Sequence, residues 1–267
     1  MIRTVFCSTL ALVAGSAIVC YADAKDDAVA AADKLASGGN YSWKTTLEAG
    51  GGGGGGGGRG GRGGGFGFTG AGEGKVANGV ASFTTTGDNP RTIYRKGDKT
   101  VMQNQDGEWM TMEEMMAARG GGNGGNGGQG RRGNRGGGAG GAQPLPAETV
   151  KDALSKAKSL TLADGVYSGD LTEDAAKAAV MGGGRGGRGG RGGNAGGGGN
   201  GPEISDAKAT IKVWVKGGAV TKYTSHVTGK VSFNGNDRDV DRTTTTEFSD
   251  VGSTKVEVPA DAAKKLG

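Results

Sequence analysis

Cysteine and histidine are nearly absent from the chain: the two cysteines are Cys7 and Cys20 and the one histidine is His226. Both cysteines fall in an apolar leader, so the remainder offers no disulfide, no thiolate nucleophile and no cysteine metal site. A lone histidine completes neither a metal cluster nor a dyad, and Ser225 beside it projects to the opposite strand face. Asp237, Asp239 and Asp241 alternate along one strand end, beside Arg238 and Arg242, and read as a solvated acidic edge. The run Gly70-Ala71-Gly72-Glu73-Gly74 lacks the lysine and hydroxyl residue of a phosphate loop. These absences leave no catalytic residue, no cofactor and no metal to assign, and point away from an enzyme.

Long apolar runs are missing except at the start. Residues 1–24 open on a basic residue, continue through an apolar stretch and finish with small residues at Ala22 and Ala24. This is the pattern of a signal peptide cleaved after Ala24, and it predicts a periplasmic or secreted protein with no membrane-spanning segment after cleavage.

Glycine, by contrast, is abundant, at 61 of 267 residues. It concentrates in three low-complexity segments, 50–74, 119–142 and 182–201, the first with nine consecutive glycines from Gly50. Polyglycine loses the most backbone entropy on ordering and has nothing to bury, so these segments are expected to be disordered loops inserted in one domain, 25–267. They hold nine arginines and one acid, Glu73, so the net charge of +5 resides in the loops and the foldable part is mildly acidic.

Between the loops the pattern alternates helix and strand. Asp26 to Ala36 reads as an alanine-rich helix and Tyr41 to Glu48 as a strand. Strands over 79–86 and 90–96 are followed by a hairpin, 100–111, turning at Asp106-Gly107, and by a short helix, 113–118. Residues 147–159 form a helix with a narrow apolar stripe, 160–162 and 166–171 are extended, and Thr172 caps another helix. The C-terminal part, Lys208 to Val251, is a β-meander of three strands split by Gly217-Gly218 and Asn234-Gly235-Asn236. Its alternation places Ile211, Val213 and Val215 on one face and Trp214 on the other. It also sets Ala219, Thr221, Tyr223, Ser225 and Val227 opposite Val220, Lys222, Thr224 and His226. A short strand, 255–258, and a helix, 259–266, close the chain. Strands this weakly apolar are buried on one side only, so the expected fold is α+β: a curved antiparallel sheet with helices on one face.

The segments YSWKTT (41–46), YRKGDKTVMQNQDGEWMT (94–111), IKVWVKGGAVTKYTSHVTG (211–229), TTTTEFSDVG (243–252) and VEVPADA (256–262) resemble the LolA/LppX/LprG-like extracytoplasmic proteins. That resemblance implies a half-barrel closed over by helices, with an apolar interior that receives lipid or acyl chains.

Two sets of candidate binding residues follow. Trp43, Trp109, Trp214 and Tyr223 lie in strands and would line an apolar pocket if their faces converge, core packing being the other role open to them. The alternative places function in the loops: Arg59, Arg62, Arg131, Arg132, Arg135, Arg185, Arg188 and Arg191 sit among glycines in RGG-type spacing suited to polyanions such as anionic lipid, acidic polysaccharide or nucleic acid. Aromatic residues are scarce between these arginines and a secreted protein rarely meets RNA, which disfavours nucleic acid.

Overall fold

The computed structural model describes residues 21–50, 70–104, 106–120, 144–182, 202–233 and 235–267. Residues 1–20 of the expected leader, and all eight candidate loop arginines, lie outside the described residues; Tyr21 to Ala24 continue the first helix.

Eleven strands form one open antiparallel sheet in the order β6-β5-β4-β3-β2-β1-β11-β10-β9-β8-β7. In chain order they are β1 (Tyr41–Ala49), β2 (Gly72–Ala77), β3 (Val80–Thr85), β4 (Thr92–Lys96), β5 (Lys99–Gln103), β6 (Trp109–Thr111), β7 (Thr161–Ala163), β8 (Val166–Asp170), β9 (Glu203–Lys216), β10 (Ala219–Phe233) and β11 (Asn236–Ser249). The helices are α1 (Tyr21–Gly38), α2 (Met112–Gly120), α3 (Pro146–Ser155), α4 (Glu173–Val180) and α5 (Ala260–Leu266). The expected α+β class, with its curved half-barrel sheet, is the observed one.

Register fixes which side chains share a face, because directly paired antiparallel residues project to the same side. One row crosses five strands as Thr45, Thr246, Tyr223, Val213 and Tyr167. These are buried, and the helices α1 to α4 supply the other side of the same core. This is the inner face. The outer face shows Lys44, Glu73, Lys222 and Glu247, joined as the exposed pairs Lys44–Glu73 at 3.0 Å and Lys222–Glu247 at 3.2 Å. Only at β4 to β6 is the outer face covered as well: α5 lays Ala262 and Leu266 over Tyr94 and Val101. There Lys265 pairs with Glu114 of α2 and Lys96 donates to the Gly267 carbonyl.

Three local features depart from the alternation of the sequence. Val220 lies on the inner face, fully buried, instead of beside Lys222 and His226. The cause is a β-bulge in which Thr221 is the extra residue between the pairs Val220↔Val215 and Lys222↔Trp214. Residues 255–258, expected as a strand, pair with no neighbour, and Val256 and Val258 pack against the α5 cluster. Residues 72–74, assigned to the first glycine-rich loop, are the start of β2.

The physical reason for β2 lies in its neighbours. A β-carbon at Gly74 would overlap the Trp43 indole, and one at Gly72 would overlap the Phe83 ring. Both rings lie on glycine backbone, nearly parallel at 7° with centroids 6.3 Å apart. Glycine is therefore required here for close approach and not for chain reversal. Replacing Gly74 by Val is expected to displace the indole and destabilise the fold by about 1–3 kcal/mol, the usual range for overpacking. Denaturant unfolding would show it as a lowered midpoint with an unchanged slope.

Candidate functional site

The inner face between β1 and β5 is where aromatic side chains gather. Tyr41 and Trp43 project from alternate positions of β1, with ring centroids 5.8 Å apart, and Phe248 of β11 meets Tyr41 edge-on at 5.7 Å. Register continues the Trp43 row through Gly74, Phe83, Ile93 and Met102, giving an apolar floor four strands wide beyond β1. Tyr41, Trp43 and Phe83 are only 1–2% exposed, so side chains fill this floor. The helical roof is built largely from small residues: Ala24, Ala28, Ala31 and Ala32 of α1, and Ala147 and Ala153 of α3, with Leu35, Val150 and Leu154 as its larger members.

Polar groups border this floor on two sides. Toward one end Thr45 and Thr246 share a buried hydroxyl pair at 3.0 Å, next to Tyr223. Toward the other, the row Tyr41, Val76, Ala81, Arg95 places a half-buried guanidinium on the inner face. Burial holds the Arg95 pKa below its ordinary value, against the opposing effect of Glu148, Tyr41 and Asp98. The Tyr41 hydroxyl lies beside the Ala147 backbone in the first turn of α3 and has no hydrogen-bond partner within the described protein; the Asn40 amide oxygen is likewise buried and unpartnered. Those two oxygens are exceptions to the rule that buried polar atoms are satisfied.

The four aromatic candidates do not converge. Trp43 and Tyr223 are on the inner face and buried, in neighbouring rows. Trp109 is on the outer face at the sheet edge, packed at 5.3 Å on Tyr94 beneath α5. Trp214 is also on the outer face, opposite Ile211 and Val213 as its position in the alternation predicts, with the Lys222 ammonium 5.4 Å from its ring. That cation contact explains how a large aromatic ring stays half-exposed between lysines. His226 is bonded to Asp241 at 3.0 Å, and Asp237 accepts from Ser232, so these members of the acidic edge have local partners.

Tyr41, Phe83, Phe248 and Arg95 were not among the residues singled out from sequence. Arg95 shares its strand face with buried Ile93, but the buried Tyr94 between them hides that alternation.

Two depressions open elsewhere on the surface. One of about 820 Å³ lies over the outer face, lined by Lys44, Glu73, Lys75, Lys222, Glu247 and Asp250 among others. The other, of about 500 Å³, lies between α4 and β9 beside Lys158, Asp170, Glu173 and Lys177. Among the described residues no helix is long and apolar enough to cross a membrane.

No protein-family model and no curated protein sequence matches the chain. Among solved structures, the crystal structure of the Mycobacterium tuberculosis lipoprotein LppX is similar over 90% of this chain and 100% of that one, at 10% identity and a TM-score of 0.41. At that level the site has to be read from its own geometry.

Burial pushes the phenols of Tyr41 and Tyr223 up to about 12. Between the ordinary tyrosine value of about 10 and that raised value, the folded state keeps protons that the unfolded chain has lost. Stability from these groups is therefore complete below about pH 10 and declines as pH rises through about 12. Tyr223→Phe should flatten that decline in chemical-unfolding measurements taken across the alkaline range, and an equally steep decline in the variant would contradict it.

Proposed function

We propose that this is a non-enzymatic, extracytoplasmic binding protein that holds an apolar ligand, a lipid or acyl chain, between the inner face of its sheet and the helices above it. The observation that carries this reading is the pairing of a broad aromatic floor with a roof made mainly of alanine. An ordinary core interlocks large side chains from both layers; here the sheet supplies most of the volume and the roof rests on it. Each alanine methyl buries little area, on the order of 1 kcal/mol or less, so the helices can lift from the inner face at modest cost. Rings seated on Gly72 and Gly74 are the movable filling that an acyl chain would replace. Trp43 and Tyr223 are ligand-lining residues in this reading, and Trp109 and Trp214 are not. The extracytoplasmic location is supported by the leader pattern of residues 1–24.

A second reading is favoured by where two loops attach. The amide of Gly50, at the start of the first arginine-bearing loop, donates to the Asp241 carbonyl at 2.9 Å. The next residue, Arg242, donates to the Ala179 carbonyl at the end of α4, three residues before Gly182 and the third loop. The segments that carry Arg59 and Arg62, and Arg185, Arg188 and Arg191, thus leave the described fold from neighbouring points, while Arg131, Arg132 and Arg135 belong to the connection from α2 to α3. We propose that the first group gives an anionic surface, such as a membrane bearing acidic lipid, a multivalent contact beside the carrier body. Changing those five arginines to glutamine should lower adsorption to anionic vesicles severalfold at low salt and leave adsorption to neutral vesicles unchanged. Undiminished adsorption would remove this role.

The principal reading is tested by single-tryptophan variants and an acyl chain brominated near its middle. Bromine quenches only rings it touches, so a protein retaining Trp43 should lose most of its emission, and one retaining Trp214 should keep it. Quenching of Trp214 alone would move the ligand to the outer face, and quenching of neither would end the carrier reading.

A further inference from the structure

We infer that the free end of the β9-β10-β11 ribbon is a membrane-contact edge, whose inner face, led by Phe233, enters the interfacial layer of a membrane bearing acidic lipid. This rests on the membrane contact proposed above for the arginine-bearing segments, and adds the surface that reaches the apolar part of the lipid.

Strand pairing defines the ribbon. On one side β1 ends at Ala49↔Arg242, followed by the Gly50 amide on the Asp241 carbonyl. On the other β8 ends at Asp170↔Thr210, followed by the Leu171 amide on the Ala209 carbonyl. Past those points residues 203–208, 228–233 and 236–241 form ladders only with one another among the described residues. At about 3.3 Å per residue they extend roughly 20 Å beyond their neighbours in the sheet. Charges at Asp237, Arg238 and Asp239 guard the open edge of β11 against pairing with another strand, which favours a partner other than a second sheet.

The inner face of the ribbon continues the core. The β10–β11 register runs unbroken from Val227↔Arg242 to Phe233↔Asn236, so Val231, Phe233, Arg238 and Val240 project to the side of buried Val227. Helix α4 covers this face as far as Gly229, where a β-carbon would lie 2.8 Å from Val180. Exposure then rises: Val231, Val240 and Ile204 are half-buried, and Phe233 is 53% exposed. Leu47 and Met181, 54% and 48% exposed, stand at the base of the ribbon. Three of the five large apolar side chains exposed among the described residues are therefore gathered at one end of the sheet, a grouping expected of a contact surface and not of scattered apolar positions.

Charge selects the partner. Arg238 is exposed on this same face, and Arg242 donates to the Ala179 carbonyl beside it. The acids Asp237, Asp239 and Asp241 project to the opposite face, where Asp237 is bonded to Ser232 and Asp241 to His226. The segment after Gly50 and the one between Gly182 and Pro202 leave or return beside the ribbon and carry five arginines and no acid. An apolar strip flanked by cations fits an interface with acidic lipid, and the acids turned away from it fix which face meets the membrane. A polyanion without an apolar layer would engage the arginines and give Phe233 nothing to enter.

The test uses vesicles of equal parts phosphatidylglycerol and a phosphatidylcholine brominated in its acyl chains. Two variants are compared, Phe233→Trp at the free end of the ribbon and Val251→Trp at an exposed position past the other end of β11. The emission of the unaltered protein, from Trp43, Trp109 and Trp214, is subtracted. The emission added by Phe233→Trp should be mostly quenched, and that added by Val251→Trp should be kept. Phe233→Ser, a change at an exposed position, should lower adsorption severalfold, and what remains should be released by high salt because the arginines alone then hold the protein. Adsorption without quenching in the Phe233→Trp protein, or with quenching only in the Val251→Trp protein, overturns the entry of the ribbon and leaves the arginine contact standing. No adsorption of the unaltered protein overturns both.

Discussion

The pairing of β1 with β11 is the constraint on which the molecule depends. Among the described residues it is the only junction between the strands β2 to β6 and the strands β7 to β10, and it brings one of the earliest elements of the chain against one of the last, from Ser42↔Ser249 to Ala49↔Arg242. Half of its partners on β11 are threonines, Thr243 to Thr246, whose branched side chains favour extended backbone. The buried Thr45–Thr246 hydroxyl pair crosses the seam, which satisfies both groups and penalises slippage by one residue. Without this seam the aromatic floor on β1 to β5 would be separated from Phe248 and from strands β7 to β10, on which α1 packs.

The same topology explains how long low-complexity inserts are tolerated. The first joins β1 to β2 and the third leads from α4 into β9, which is itself paired with β8, the strand before α4. Each therefore closes a connection between elements already held together by the sheet. Closure entropy rises only logarithmically with length, about 0.6 kcal/mol per doubling, so such insertions add little.

Much of this was legible in the residues. The meander turns at Gly217-Gly218 and Gly235, and the hairpin turn at Asp106-Gly107, stand where glycine places them, and Trp214 faces away from Ile211 and Val213. What was not legible is non-local. β2 has little strand propensity of its own; it is a strand because Trp43 and Phe83 need a surface without side chains. Val220 reaches the inner face through a bulge that depends on its partner strand. Around Arg95 both faces of β4 are apolar, because α5 buries Tyr94 from outside, and this masks the alternation that would have set an inward arginine apart. The convergence of the tryptophans failed for a related reason: alternation assigns a face within one strand, but only pairing says which faces of distant strands are the same.

The composition of the inner face distinguishes a carrier from a plain core. Maximum stability would be reached with large side chains on both layers, in native packing density, and with no charge inside. This face instead meets alanines, rests two of its rings on glycine and, among the described residues, leaves the Tyr41 hydroxyl without a partner. Each choice lowers stability relative to a closely interlocked apolar alternative, and all three belong to one continuous core between the inner face and the helices. Departures that reduce stability without another local benefit are expected at sites that act on something else.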